Sequence, residues 1–232
     1  MKKKEIQNKD LTFLKEYIIC NKGIYDKKNI MENTLEAFGK CIDNNYLILT
    51  NLIILKDKTI IVFDPTKVKE LLLVEEKLEK MTYDEIEYIT KYHVPTLEEV
   101  LKYVDGYVPF IFRLNEKYKW HKFDKLFEIL SNYKGLYTIE SYRTEVVKYI
   151  TKKHPEVICG ALLNEQNYKK IYDIRNVDYI DINVELMNEK IVKKQKEDIV
   201  IIGNNIKKID EFKAKSNFYD NLVCDRLLEK KN

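Results

Sequence analysis

The sequence predicts an α/β protein in which short buried strands alternate with amphipathic helices, in numbers that suit a closed (β/α)8 TIM barrel. The strand candidates are Tyr17–Asn21, Leu47–Leu55, Phe110–Leu114, Leu136–Glu140, Val157–Leu162, Tyr179–Asn183, Ile199–Ile202 and Leu222–Asp225. They are short, β-branched and mostly apolar on both faces, as buried parallel strands are. Between them, apolar residues recur at helical spacing: Phe123, Leu126, Phe127 and Leu130, then Val146, Val147 and Ile150, then Ile206, Ile209 and Phe212. A doubly wound open sheet would show the same alternation, but eight such runs in 232 residues favour the barrel. No linker rich in Pro, Gly or Ser divides the chain, so residues 1–232 are expected to form a single domain.

Local signals add detail. Leu47–Leu55 runs through Lys56-Asp57-Lys58, a turn, into a further strand at Thr59–Phe63. A charged helical insertion follows Asp64-Pro65 and lasts until Val94. Thr82 with Glu85, and Thr96 with Glu99, have the spacing of capping boxes, so helices are expected to start at residues 83 and 97. Glu32, Asn33 and Thr34 are read as the cap of the first helix, with Leu35 and Phe38 turned to the core. Gly23 is expected at a positive φ or at a close backbone approach after the first strand.

Composition bounds the function. Hydrophobic residues make up 45% of the chain and charged ones 34%, with a net charge of only +3. The charges are interspersed, so nucleic acid is not expected as a partner. No run approaches the roughly 20 apolar residues of a membrane span, and the Lys2-Lys3-Lys4 start leads into polar residues rather than a signal peptide. Cys20, Cys41, Cys159 and Cys224 lie far apart in apolar settings and read as reduced core residues of a cytoplasmic protein. With six glycines there is no phosphate-cradling glycine loop, and Ser141 has no histidine in register for a nucleophilic triad.

Two stretches carry a family likeness. Asn21-Lys22-Gly23 followed by Met31-Glu32-Asn33-Thr34-Leu35, and later Pro95-Thr96-Leu97-Glu98-Glu99, resemble signatures of the glycerophosphodiester phosphodiesterase family. That family is a metal-dependent TIM-barrel family with a His-Arg-Gly triplet, a Pro-Glu-Asn-Thr-Leu run and a Pro-Thr-Leu-Glu-Glu block. The likeness spans Tyr17 to about Arg226, with Ser141-Tyr142 and Cys224-Asp225 resembling later family motifs. It implies a barrel fold, phosphodiester chemistry and a role in lipid metabolism. The reacting positions depart from it. Asn21 stands where the family has its first catalytic histidine, and Lys22 where it has a phosphate-contacting arginine. Leu49 and Asn51 take the places of a metal-binding Glu-x-Asp. Asp64-Pro65 takes that of a His-Asp containing the second histidine. Arg113-Leu114-Asn115 replaces a metal-binding Glu-x-Lys.

The resemblance therefore implies a frame without its chemistry. Metal-assisted cleavage of a diester needs carboxylates for a hard cation and titratable groups for the leaving alkoxide. Amides, leucine and arginine fill neither role, so no divalent cofactor is expected. Arg113 would carry positive charge where the family holds its cation, and Asp64 is expected to pair with it. The candidate ligand-binding set is Lys22, Asn51, Asp64, Arg113 and Asn115, for a small phosphate-containing ligand. The histidines His93, His121 and His154 are read as surface residues. Three readings stay open: a non-catalytic binding protein, a phosphodiesterase with metal-independent chemistry through Asp64 or Glu140, and a structural or interaction protein.

Overall fold

The computed structural model describes residues 9–26, 29–72, 77–114, 121–168, 177–186, 199–205 and 219–224. The fold is a (β/α)8 barrel: among the described residues eight strands are parallel and one short strand is antiparallel. The parallel strands are β1 (Ile19–Asn21), β2 (Leu47–Ile54), β4 (Phe110–Arg113), β5 (Tyr137–Ser141), β6 (Ile158–Leu163), β7 (Tyr179–Asn183), β8 (Val200–Asn204) and β9 (Asn221–Cys224). Each falls within a residue or two of an apolar run legible in the sequence. The antiparallel strand β3 (Ile60–Val62) folds back on β2 with Ile53 opposite Ile61.

The described helices are α1 (Thr12–Glu16), α2 (Leu35–Asp43), α3 (Tyr83–Ile89), α4 (Leu97–Val104), α5 (His121–Ser131) and α6 (Thr144–Lys153). The expected helical set at Ile206, Ile209 and Phe212 lies outside the described residues. Both capping boxes form. Thr82 and Thr96 accept from the backbone N–H groups of Glu85 and Glu99, whose carboxylates accept from the threonine N–H groups in return. Thr34 caps α2 by accepting from Ala37 N–H.

The chain forms two compact units. In the unit containing residues 18–137, β2 is buried along its whole length and pairs with β1 and β4 on its two sides. The described residues after β3 include a 3-10 turn at Pro65–Lys67, a π turn at Val68–Leu72, a 3-10 turn at Leu78–Lys80 and then α3. Its apolar side chains build a core of their own on the β2–β3 hairpin, with Leu78, Met81 and Ile86 packed on Ile53, Ile61 and Phe63. In the unit containing residues 138–223, β5 to β9 form a parallel sheet in sequence order. Ala161, Leu163, Ile180, Ile182, Ile201 and Leu222 are the centre of its core.

Candidate functional site

The family-like residues of the first unit converge after β1. Lys22 follows the strand in the left-handed region, at φ 65, and Gly23 continues the turn at φ 82. A Cβ on Gly23 would stand 2.8 Å from the Ala37 side chain, so both readings of this glycine hold: positive φ and close approach to α2. Lys22 pays for no glycine's freedom and is fixed by its neighbours instead. Its N–H donates to Leu49 O at 2.7 Å, and its carbonyl accepts from Asn33 N–H at 2.9 Å. Asn33 is itself left-handed, at φ 58, and its buried Oδ1 accepts from Thr50 Oγ1 at 2.7 Å.

This backbone aims the Lys22 ammonium at two carboxylates. It forms a close ion pair with Asp64 Oδ2 and lies 3.2 Å from Glu32 Oε1. All three side chains are largely withdrawn from water, with 16% exposure for Lys22, 13% for Glu32 and 7% for Asp64. Asp64 is held from its other side. The residue before a proline is confined to extended backbone, and Asp64 caps the Pro65–Lys67 turn, its Oδ1 accepting from Thr66 N–H at 2.9 Å and Thr66 Oγ1 at 2.8 Å. Burial pushes the Asp64 carboxyl up, but the Lys22 ammonium and the Thr66 donors outweigh it and hold the group below the ordinary aspartate value. Burial likewise opposes charge on Lys22, and Asp64 and Glu32 overcome it, raising the ammonium above the ordinary lysine value.

The strands set the remaining members. Asn21 is opposite Leu49 in the β1–β2 register, and Asn51 is opposite Arg113 in the β2–β4 register. Asn51 is buried, Arg113 half-buried. The expected partnership of Asp64 with Arg113 is replaced by one with Lys22 and Thr66, because the left-handed turn at Lys22 brings its ammonium to the end of β3. Asn115 and Asp225 lie outside the described residues. A narrow crevice without room for a water molecule, lined by Glu32, Asn33, Asp64, Phe63 and Tyr92 among others, adjoins the ion pair. Burial and the Glu32 charge push the Tyr92 phenol up to about 12, so it stays neutral there.

Glu32 is the member that sequence reasoning missed. It read as part of a helix cap, whereas Thr34 alone caps α2 and Glu32 turns to Lys22. The available signal was an acid beside a left-handed-prone Asn, ten residues after a lysine–glycine turn. His93 is exposed as expected, though between two carboxylates: Nδ1 is 3.4 Å from Glu87 and Nε2 is 3.1 Å from Glu99. His154 lies 3.5 Å from Glu156. Among the described residues, no group of three or more His, Cys, Asp or Glu side chains is arranged to hold a metal ion.

The second unit presents a polar layer of a different kind. Glu140 is fully buried and accepts from Tyr179 OH at 2.9 Å, and Thr138 Oγ1 donates to that phenol at 3.2 Å. A Cβ on Gly160 would overlap the Tyr179 ring, so this glycine makes the room that lets Tyr179 reach Glu140. Buried Asp181 accepts from Asn204 Nδ2 at 2.5 Å, and Asn183 Nδ2 donates to Glu165 at 2.9 Å.

No protein-family model and no curated protein matches the sequence. The structure, by contrast, is similar to solved glycerophosphodiester phosphodiesterases over about nine-tenths of both chains. One from Parabacteroides distasonis superposes with a TM-score of 0.76 at 14% identity, covering 90% of this chain and 92% of that one. One from Thermotoga maritima gives 0.72 at 21% identity, covering 89% and 93%. An Oleispira antarctica phosphodiesterase, in complex with its product sn-glycerol-3-phosphate, gives 0.74 at 12% identity, covering 90% and 93%. The chain thus shares the fold of these enzymes. No helix among the described residues is long and apolar enough to cross a membrane.

Proposed function

We propose that this chain is a glycerophosphodiester phosphodiesterase-like protein that binds a glycerol-phosphate type of ligand without cleaving diesters by metal-assisted hydrolysis. The observation that carries the reading is the strand register that pairs Asn51 with Arg113, which puts an amide and an arginine side by side on neighbouring strands. The resemblance implies metal-binding carboxylates at these strand positions, and Leu49 adds no donor at the third. A hard divalent cation needs anionic oxygens, and a guanidinium repels it. The donor set therefore does not suit the ion, and no hydrolytic step is routed through one. Neither histidine position that the resemblance implies carries an imidazole: Asn21 cannot move a proton, and Asp64, held below the ordinary aspartate value by Lys22, is a weakened base and no general acid at neutral pH.

Arg113 adds positive charge that favours a phosphate at this end of the strands, whereas Lys22 is engaged by Asp64 and Glu32. The Oleispira phosphodiesterase with glycerol phosphate bound supports the ligand class, on a shared fold. Two assays on the full chain test the reading. Release of choline from glycerophosphocholine is followed with magnesium, calcium or chelator, and titration calorimetry is run with sn-glycerol-3-phosphate. The expected result is no turnover above the blank and a saturable heat with glycerol phosphate. Metal-dependent turnover would overturn the non-hydrolytic assignment, and the absence of heat would remove the ligand.

A further inference from the structure

We infer that the Lys22 ammonium is a resident structural cation, without which the largely buried carboxylates of Glu32 and Asp64 would need an external cation between them. The inference goes beyond the non-hydrolytic reading above and concerns a cluster separate from the metal positions that the resemblance implies at Leu49, Asn51 and Arg113. It is carried by geometry. The two carboxylates come from different parts of the chain, Glu32 from the loop before α2 and Asp64 from the end of β3, and they meet only at Lys22 Nζ. The lysine is held there at φ 65, a conformation that L residues adopt rarely and at a cost. Hydrogen bonds to Leu49 O and from Asn33 N–H keep it in place, and Thr66 immobilises Asp64.

Two carboxylates against one ammonium leave the cluster an acid in excess, so the ammonium cannot be lost without leaving two like charges close together and poorly hydrated. A lysine charge is intramolecular and present at any metal concentration. The protein's stability should accordingly be indifferent to divalent ions, whereas a chain with the charge deleted should gain a need for them.

Thermal unfolding of the full chain in chelator, magnesium or calcium tests this without any diester, so its outcome is separate from that of the hydrolysis assay. The wild type and Lys22→Arg are expected to unfold at the same temperature in all three. Lys22→Met, nearly the same size, is expected to lose roughly 10 °C in chelator and to recover a large part of it, saturably, with calcium. Adding Asp64→Asn to Lys22→Met should abolish that recovery. If Lys22→Met is insoluble in chelator, its refolding yield with and without calcium gives the same readout. A saturable calcium response of the wild type would overturn the inference, and so would a Lys22→Met chain that calcium neither stabilises nor helps to refold.

Discussion

At Asp64 one carboxylate does three jobs: it caps a 3-10 turn, pairs with Lys22 and ends β3. Its carboxyl is held below the ordinary aspartate value, near 3.9, by contacts that exist only in the folded chain. A group with a depressed folded value contributes stability above its unfolded value and loses it as the pH falls through the folded one. Asp64→Asn should therefore cost about 1–3 kcal/mol at neutral pH, with the gap to the wild type closing below about pH 4. Urea midpoints at both pH values check this, and a gap that does not change with pH would refute the ion-pair account. Gly160 is a second position where one atom decides. Gly160→Ala puts a methyl into the Tyr179 ring and breaks the approach to Glu140, so a loss of about 1–3 kcal/mol is expected in the same measurement.

The helix α4 illustrates how a short element is made reliable. Its eight residues bury Leu97, Val100, Leu101 and Val104 on one face, and its start is fixed by the reciprocal Thr96–Glu99 bonds. Preceding residues tie it to the hairpin, since Val62 N–H donates to Pro95 O at 2.9 Å and Ile61 bridges Thr96. Thr96→Ala removes the acceptor for Glu99 N–H and one donor to the Glu99 carboxylate, and should cost about 1 kcal/mol, lowering Tm by roughly 2–4 °C. Thr96→Ser, which keeps the hydroxyl, should lie near the wild type; equal losses for the two would show that the methyl, not the cap, matters. The described turns at Pro65–Lys67, Val68–Leu72 and Leu78–Lys80 are shorter, and packing of residues such as Leu78 on the β2–β3 hairpin rather than helical propensity accounts for their place.

For the chain as a unit of chemistry, thiol reactivity reports on the core. Cys20, Cys41 and Cys159 are buried and Cys224 is half-buried, all four as free thiols. Burial, reinforced by the Asp178 charge, pushes the Cys159 thiol far up, so little thiolate is available to react. Alkylation of the native protein, read by mass, should modify Cys224 first and the other three only on unfolding. Fast native labelling of Cys159 would contradict the packing of β6.

Much of this architecture was legible before any coordinates. The apolar runs at β2 and β4 read as buried strands, and Thr82 and Thr96 announced their helices, because those patterns depend on neighbours in sequence. The relation between Lys22, Glu32 and Asp64 was not legible. The chain by itself determined which residues are apolar, where strands and helices alternate, and that amides and an arginine stand at the ends of strands such as β1, β4 and β7. Only the tertiary structure decided that Asp64 takes Lys22 and that Glu32 leaves the helix cap to join them. Ion pairing across ten and forty-two residues depends on two left-handed turns and on where β3 ends, and sequence spacing carries no information about either.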